Sequence, residues 1–556
     1  MPKLTRTNFS VKELTAMYSS GEIAIPEIQR DFVWDAKRIK KLLNSLHMDF
    51  PSGAIILWRP EFPTRSEFEM LIRPERLHLY KNRLPTYLLL DGQQRLTALC
   101  SVILPANQVL DSLGEEIDLP KLFINLKTLE IEASKESIPT SNNEVLLNRL
   151  LSSETEDSGL SSIFNELTPR KDITAKHKNE LKDFRERILQ YTYPVQVLEN
   201  HDYETVAEIF KRVNSQGKIL VTAELELATI VPHWKGFSKH LRTFIKEMRA
   251  DGFIADLPFY LKCLAFIATD WPAIDYFSKS VVNAEFSQGQ LESFWRNTKK
   301  AVRKLSTILK HNNIDRTELI TTRNALVPMA YAIAKDNKNR ISDGLYIKWL
   351  VYAMDGGHYA QQTESTLRRD SYPLTESSPH IEKGFTKLYK QMVRKDLYST
   401  TFAESDFEGS ASKNPAMLWI YLSLRHQQAK DFAGKNAQPI EQIGNYQVHH
   451  IFPIEFMLAD EKAEKYRKKN GLSRTEFKMQ INDVANLTFI SLQANQEIKK
   501  RPPYDYLFKL TSPKNLEAHC IPKDPELWKP EHFGDFCDER RRLLAKSMNA
   551  YIRNLE

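Results

Sequence analysis

Two short apolar runs near the C-terminal end, each followed by a helix signal, constrain the fold of this sequence most. Residues 446–453 (YQVHHIFP) have strand character, and residues 487–490 (LTFI) form a second strand-like run. Between them, Ser473 and Glu476 have the spacing of a capping box, which predicts helices in the intervening residues. A short helix with Asn495 at its head follows, and two prolines must end it. The order predicts a ββα unit with a helical insertion.

The polar residues of this unit suit phosphodiester hydrolysis. That reaction needs a water deprotonated by a base that is neutral near pH 7, such as imidazole, and a divalent cation at the phosphate. The layout resembles the ββα-metal site of HNH, or His-Me finger, nucleases. In that arrangement we expect His450 to be the general base, Asn486 to hold its imidazole, and His449 and Asn495 to bind the metal ion. The long insertion between the strands is unusual for a minimal HNH motif.

Two features near this unit have alternative interpretations. The E-I-K tripeptide at residues 497–499, with Asp483 upstream, fits a PD-(D/E)xK nuclease, although such tripeptides are common by chance in Lys-rich helices. Lys499, Lys500 and Arg501 are candidates for contacts to DNA phosphates. They are equally typical of a solvated helix end with cations near its C-terminus.

A second constellation lies near the N-terminus, where the strand-like run at 86–90 (TYLLL) leads directly into D-G-Q-Q-R and then into helical spacing. A strand, a tight turn and a helix start bring free backbone N–H groups and the positive helix end to one point, which favours an anion. The residues placed there are Asp91, Gly92, Gln93, Gln94 and Arg95. Arg95 can add a bidentate phosphate contact. The chain has no G-x-x-x-x-G-K-[ST], which excludes a P-loop.

Two further segments are candidate partners of that turn. The stretch P-E-I-Q-R-D-F-V-W contains Gln29 and Arg30, and F-K-R-V-N-S-Q-G contains Asn214. The alternatives are an ordinary turn with a helix cap at residues 91–92, a surface pair at Arg30, and aromatic residues that only fill the core.

These N-terminal blocks, including L-L-L-D-G-Q-Q-R-L-T-A-L, resemble the ParB/sulfiredoxin-like domain of GmrSD-type proteins, and V-H-H-I-F-P with N-L-T-F-I-S resembles their HNH half. The single-chain arrangement is similar to BrxU-like type IV restriction enzymes of phage defence. The resemblance implies a nucleoside triphosphate (NTP) site at residues 91–95 with Gln29, Arg30 and Asn214 close by. It also implies NTP turnover and a Mg²⁺- or Mn²⁺-dependent cut in DNA that carries hydroxymethylated or glucosylated cytosine. This chain departs from many HNH sites in having His449 where an acidic residue precedes the base.

Three functions follow from these observations. The first is an NTP-regulated, modification-dependent DNA endonuclease, for which a homodimer is plausible because two sites are needed for a double-strand break. The second is an indiscriminate DNA or RNA nuclease triggered by infection. The third is a ParB-like DNA-binding regulator with an inactive HNH half, which the intact His and Asn set disfavours.

Length and composition set the frame for these expectations. The chain has 556 residues, a net charge of +7, and four cysteines without a C-x-x-C pair. We expect an α+β, multidomain, cytoplasmic protein without membrane association or a structural zinc site. The predicted domains are 1–235 (ParB/sulfiredoxin-like, with an exposed insertion near 127–160), 236–402 (mostly helical, with a polar break at 361–380), a linker at 403–415, and 416–556 (the ββα-metal, HNH nuclease domain).

Overall fold

The computed structural model of this chain describes residues 3–26, 32, 34–60, 84–105, 109, 121–134, 144–152, 163, 173–201, 205–206, 209, 222–234, 236–355, 357–359, 363–377, 379–393, 401–411, 414–434, 437–444 and 446–555. The chain divides into two compact units, one comprising residues 1–244 with 278–286 and the other 245–277 with 287–556. Both contain helices and small sheets, so the mixed, multidomain class predicted from the sequence is confirmed. The ParB-like and HNH assignments stay predictions.

The described residues of the first unit form eight strands in two sheets. They are β1 (Lys3–Ser10), β2 (Ile23–Ala24), β3 (Ile55–Arg59), β4 (Tyr87–Asp91), β5 (Lys121–Asn125), β6 (Ile131–Ser134), β7 (Glu144–Leu146) and β8 (Thr192–Glu199). The larger sheet has the order β1-β8-β3-β4-β2, in which β8 pairs with β3 and β4 with β2 in parallel. The smaller sheet, β6-β5-β7, is antiparallel. The strand-like run predicted at 86–90 corresponds to β4.

Six helices lie wholly within the first unit along its described residues. They are α1 (Val11–Ser19), α2 (Ala36–His47), α3 (Gln93–Ile103), α4 (Leu147–Leu151), α5 (Ala175–Gln190) and α6 (Thr222–Ile230). Asp35 caps α2, because its Oδ1 accepts from the backbone N–H of Arg38 at 2.9 Å. The face formed by Ile39, Leu42, Leu43 and Leu46 is buried in the core.

The described part of the predicted exposed insertion is built into the first unit. Strand β6 pairs with β5, and α4 buries Leu147, Leu150 and Leu151. The Arg185 side chain donates from Nε to the Leu150 carbonyl oxygen at 2.9 Å and joins this helix to α5. The polar composition of residues 127–160 conceals these apolar positions, since they are few and separated by charged residues.

Two helices, α7 (Phe237–Ala250) and α9 (Ile274–Val282), contain residues of both units. The second unit is mainly helical. Its first part contains α8 (Leu257–Thr269), α10 (Gln288–His311), α11 (Leu326–Lys335), α12 (Asp343–Asp355), α13 (Thr363–Glu376), α14 (Ile381–Val393) and α15 (Ala416–His426).

The polar break expected at 361–380 is wrong, because α13 occupies most of it. The buried face of α13 has the helical spacing of Leu367, Asp370, Ser371 and Leu374, but two of these four residues are polar. Asp370 is satisfied by hydrogen bonds from the Tyr359 hydroxyl at 2.7 Å and the His358 ring at 2.6 Å. Hydrophobicity alone therefore misses this helix.

The C-terminal part of the second unit contains β9 (Tyr446–His450), α16 (Ile454–Ala459), α17 (Glu461–Lys469), α18 (Arg474–Ile481), β10 (Leu487–Ser491), α19 (Leu492–Ile498), α20 (Pro503–Leu510), α21 (Pro513–Ala518) and α22 (Phe533–Arg553). The segment predicted as a linker packs here along its described residues. Phe407 is buried against Trp419, and the Gly409 carbonyl accepts from the Val484 N–H at 2.8 Å. The domain boundaries themselves stay a prediction.

Candidate active site

Strands β9 and β10 form a two-stranded antiparallel sheet, and α19 begins directly after β10. His449 lies opposite Thr488, and His450 lies opposite Leu487. Because successive residues of a strand point to opposite faces, the two histidine side chains leave β9 in opposite directions. The insertion α16–α18 lies between the two strands in sequence. The Ser473 capping box of α18, with Glu476, is present as predicted.

His449 and Asn495 come together on the buried face of this sheet. The Nδ1 atom of His449 lies 2.8 Å from the Oδ1 atom of Asn495. Burial lowers the pKa of His449 to about 4, so its imidazole is neutral at pH 7. A neutral ring nitrogen and an amide oxygen are metal ligands. Adjacent ligands of an octahedral ion at about 2.1 Å are about 3 Å apart, so this pair has the spacing of two neighbouring ligands.

This pair would supply only part of a coordination shell. No group of three or more His, Cys, Asp or Glu residues positioned to hold a metal ion occurs among the residues that the structure describes. Mg²⁺ usually keeps several waters and takes one or two protein ligands together with substrate phosphate oxygens. The residues present therefore fit a hydrated Mg²⁺ or Mn²⁺ ion and not a fully protein-enclosed metal site.

His450 faces the insertion on the other side of β9, where its ring contacts Asn482 and not Asn486. The Nε2 atom of His450 lies 3.0 Å from Oδ1 of Asn482, whose Nδ2 donates to the Lys478 carbonyl oxygen at 2.7 Å. The second contact fixes the amide orientation, so Nε2 of a neutral His450 carries the proton and Nδ1 is left as the basic atom. Burial lowers the pKa of His450 below its usual value.

Asn486 has a different place from the one that the sequence suggested. Its side chain is fully buried, and its Oδ1 accepts from the Phe452 N–H at 2.8 Å. Its Nδ2 donates to the carbonyl oxygens of Phe452 at 3.0 Å and Ile481 at 2.9 Å. Asn486 therefore holds the backbone that leaves β9 and the end of α18. It acts on the imidazole of His450 only through the backbone.

Sequence reasoning missed Asn482 and Tyr506. Asn482 follows the last residue of α18, where an Asn is typical of an ordinary helix end, and only its distance to His450 shows another role. Tyr506 lies in α20 and is fully buried, with its hydroxyl oxygen 3.1 Å from Nε2 of His449. A Tyr three positions after a Pro-Pro pair, as Tyr506 is, carries no sequence signal for such a contact.

Two of the three basic residues proposed to contact DNA phosphates, Lys500 and Arg501, make contacts within the protein. Arg501 donates to the Glu497 carbonyl oxygen at 2.8 Å and to that of Ile498 at 3.3 Å, which caps the end of α19. Lys500 is paired with Glu455. These contacts favour the helix-end interpretation for both residues. Lys499 is exposed and stays a candidate for a phosphate contact.

The Asp483 carboxylate, proposed for the alternative PD-(D/E)xK site, is already bound by other groups of the protein. Oδ2 of Asp483 accepts from the Gly409 N–H at 2.8 Å, and its Oδ1 accepts from the Ala485 N–H at 2.9 Å. Arg541 lies 3.1 Å from the same carboxylate. These contacts disfavour Asp483 as a metal ligand.

The N-terminal turn has the predicted strand-to-helix geometry. Strand β4 ends at Asp91, and Gly92, with φ of +94°, is the N-cap of α3. A side chain at Gly92 would be strained by this backbone and would meet Ile55 at 3.0 Å. Gln93 and Gln94 are buried in the first turn of α3. The turn therefore has the predicted geometry, and the first turn of α3 lies inside the protein.

Arg95 differs from the expectation that it is free for a phosphate. Its guanidinium donates to the carbonyl oxygens of Ser52 at 2.9 Å and Ala54 at 2.6 Å, and it lies 3.2 Å from the Asp91 carboxylate. Arg95 thus ties the loop before β3 to α3. Gln29, Arg30 and Asn214 lie outside the described residues.

Comparison with known proteins gives a family match in the N-terminal part of the chain. Residues 11–231 match the family model described as the N-terminal domain of the GmrSD restriction endonuclease. The chain is also similar to an uncharacterized protein of Methanocaldococcus jannaschii, with 24% identity over 577 residues that cover 97% of this chain and 93% of the relative. The family match supports a GmrSD-type restriction endonuclease family. Among the described residues no helix has the length and apolar character to cross a membrane.

Proposed function

We propose that this protein is a divalent-metal-dependent DNA endonuclease of the HNH type, with an N-terminal domain that binds nucleoside triphosphates and regulates cutting. The match of residues 11–231 to a restriction endonuclease family supports DNA as the partner. The observation that carries the nuclease assignment is the pair of opposed contacts on β9, His449 with Asn495 and His450 with Asn482. The first contact suits a cation, and the second orients a neutral base at the adjacent residue of the same strand.

The proposed reaction uses each residue for one task. His449 and Asn495 would hold a divalent cation, which would supply the positive charge that the phosphate and the leaving oxygen need. Nδ1 of His450 takes the proton from a water as the water oxygen bonds to phosphorus. The bridging oxygen leaves with the electrons of its bond to phosphorus and takes a proton from solvent. Asn482 keeps the His450 proton on Nε2, and Asn486 keeps the strand end in place.

The nucleotide part of the proposal rests on the turn at the start of α3. The positive end of the α3 helix dipole would favour phosphate oxygens there. Because Arg95 is engaged with two carbonyl oxygens, we assign it the positioning of this loop and not a phosphate contact. Asp91 is the half-exposed acidic group beside the turn. It is the candidate for contact with a nucleotide-bound metal ion or with water.

The cleavage test uses one DNA sequence prepared unmodified, hydroxymethylated and glucosylated at cytosine, with Mg²⁺ or Mn²⁺ and with or without nucleotide. We expect cutting of the modified forms, and a loss of about 10²–10⁴ in rate for His450→Ala. His532→Ala, which changes a half-buried histidine of the same unit, is the matched control. Equal cutting of all three DNA forms would favour the indiscriminate nuclease. Unchanged cutting by His450→Ala would reject the assigned base.

The nucleotide test compares two Asp→Asn variants of the first unit. Asp91→Asn keeps the shape of the turn, and we expect it to lose nucleotide hydrolysis. Asp183→Asn, on the exposed face of α5 and paired with Arg187, serves as the control and should keep it. Hydrolysis that both variants retain would remove Asp91 from the proposed site.

A further inference from the structure

The buried hydroxyl of Tyr506 lies between the His449 ring and the backbone carbonyl of Ile451. Its hydroxyl oxygen lies 3.1 Å from Nε2 of His449 and 2.9 Å from the carbonyl oxygen of Ile451. The phenol ring is fully buried and stands edge-on to the His449 ring, with centroids 5.8 Å apart. Phe432 lies against both rings. The hydroxyl is therefore held in place by packing as well as by hydrogen bonds.

The hydrogen bonds of the Tyr506 hydroxyl determine which ring nitrogen of His449 carries the proton. A phenol has one proton to donate, and a carbonyl oxygen can only accept. The Tyr506 proton is therefore used on Ile451, and the Tyr506 oxygen must accept from His449. It follows that a neutral His449 carries its proton on Nε2 and a lone pair on Nδ1, the atom that faces Asn495.

We propose that Tyr506 is a positioning residue that fixes His449 in the Nε2–H form, so that its Nδ1 and Oδ1 of Asn495 direct two lone pairs at one divalent cation. This inference rests on the proposed metal-dependent function. Without a cation, the 2.8 Å contact between Nδ1 of His449 and the Asn495 amide is a hydrogen bond, which needs a proton from one of the two groups. If the Asn495 amide turns when no cation is bound, its Nδ2 donates to Nδ1 of His449, and the histidine proton stays on Nε2 in either case.

The arrangement also explains how a neutral ligand pair can bind a hard cation. A metal-bound histidine usually donates its other N–H to a second group, which fixes the ring and raises its basicity, and loss of that group weakens metal binding by about 10–100-fold. Here Tyr506 is that group, and Ile451 orients it in turn. The backbone N–H of Ile451 donates to the Asn486 carbonyl oxygen at 2.8 Å. This hydrogen bond fixes the backbone directly after His449 and His450.

The test begins with the full-length, metal-free protein labelled with ¹⁵N at histidine. The His449 signals are identified by their loss in His449→Gln. We expect a protonated Nε2 and an unprotonated Nδ1 in the wild type, and a mixture of the two forms in Tyr506→Phe. Calorimetric titration with Mn²⁺ should then show binding about 10–100-fold weaker in Tyr506→Phe. Tyr504→Phe, two residues away on the same helix and 47% exposed, should behave as the wild type.

The outcomes separate this inference from the proposed function. A wild-type His449 protonated on Nδ1, or a Tyr506→Phe protein with unchanged His449 signals and Mn²⁺ affinity, would overturn the role of Tyr506. The wild-type measurement decides this even where Tyr506→Phe does not fold. A wild type that has the expected tautomer but binds no Mn²⁺ would reject the metal-dependent nuclease and retain Tyr506 as the group that orients His449.

Discussion

Replacement of Asn486 by Ala tests the distinction between a residue that supports the site and one that takes part in its chemistry. The side chain of Asn486 is fully buried and serves three backbone groups, the N–H and carbonyl of Phe452 and the carbonyl of Ile481. The backbone hydrogen bonds of Asn486 itself, to Ile451 and Asp483, do not depend on its side chain. The substitution therefore removes only the three side-chain contacts.

The expected magnitude follows from these three groups. A buried polar group left without a partner costs about 1–3 kcal/mol. Taking the lower end of that range for each group gives a loss of about 3 kcal/mol in the local free energy of opening. Since about 1.4 kcal/mol corresponds to a factor of ten, amide exchange in the segments that Asn486 joins should accelerate roughly a hundredfold.

Hydrogen exchange followed by mass spectrometry measures this opening without requiring the whole chain to unfold in one step. The peptides of interest span residues 446–458 and 478–491. Asn470→Ala is the matched control, because Asn470 is exposed and its side chain caps only the Tyr466 carbonyl oxygen. An Asn486→Ala protein whose exchange in these peptides rises less than about fivefold would refute the reasoning.

Three further predictions follow from the same contacts. Asn482→Ala should lower the cleavage rate by at least about tenfold while exchange in β10 stays unchanged, because Asn482 orients His450 but is only half-buried; a wild-type rate would contradict this. Arg95→Ala should lower the melting temperature of the first unit through the lost contacts to Ser52 and Ala54, with thermal unfolding as the measurement and exposed Arg187→Ala as the control. Burial holds the pKa of His449 at about 4 and that of His519 at about 3, so these rings stay neutral in the folded state while the unfolded chain binds protons below about pH 6.5. The second unit should therefore lose several kcal/mol of stability as the pH falls from 6.5 to 4, and a urea midpoint that is constant over this range would contradict the expectation.

Local sequence patterns predicted the elements well where the governing interaction is itself local. The capping box at Ser473 depends on residues three positions apart, and it is present. Strands β4, β9 and β10 lie where their apolar runs indicated. The order of the larger sheet joins β1 to β8 across most of the first unit, and no local pattern contains that information.

The site was predictable to the level of residue types and less so to the level of partners. The approach of His449 to Asn495 was expected from strand and helix placement, and the structure brings the two side chains together. The partners of Arg95 are backbone carbonyl oxygens, which a sequence does not distinguish from any others. Asn482 and Asn486 differ by four positions, and only the geometry of α18 decides which of them reaches His450.

The pairing of β9 with β10 has a consequence for how this centre can fail. In the described part of the chain the sheet has two strands, so no third strand there adds to the alignment. A shift of the pairing by a single position would turn each imidazole to the other face. The chain would then be folded and would retain all of its functional groups, yet the buried ring would point at solvent and the outer ring at the core. Such a register shift would abolish the chemistry without altering a single covalent bond. The hydrogen bonds of the Asn486 side chain and that of the Ser491 N–H to Asp431 at 3.0 Å oppose it.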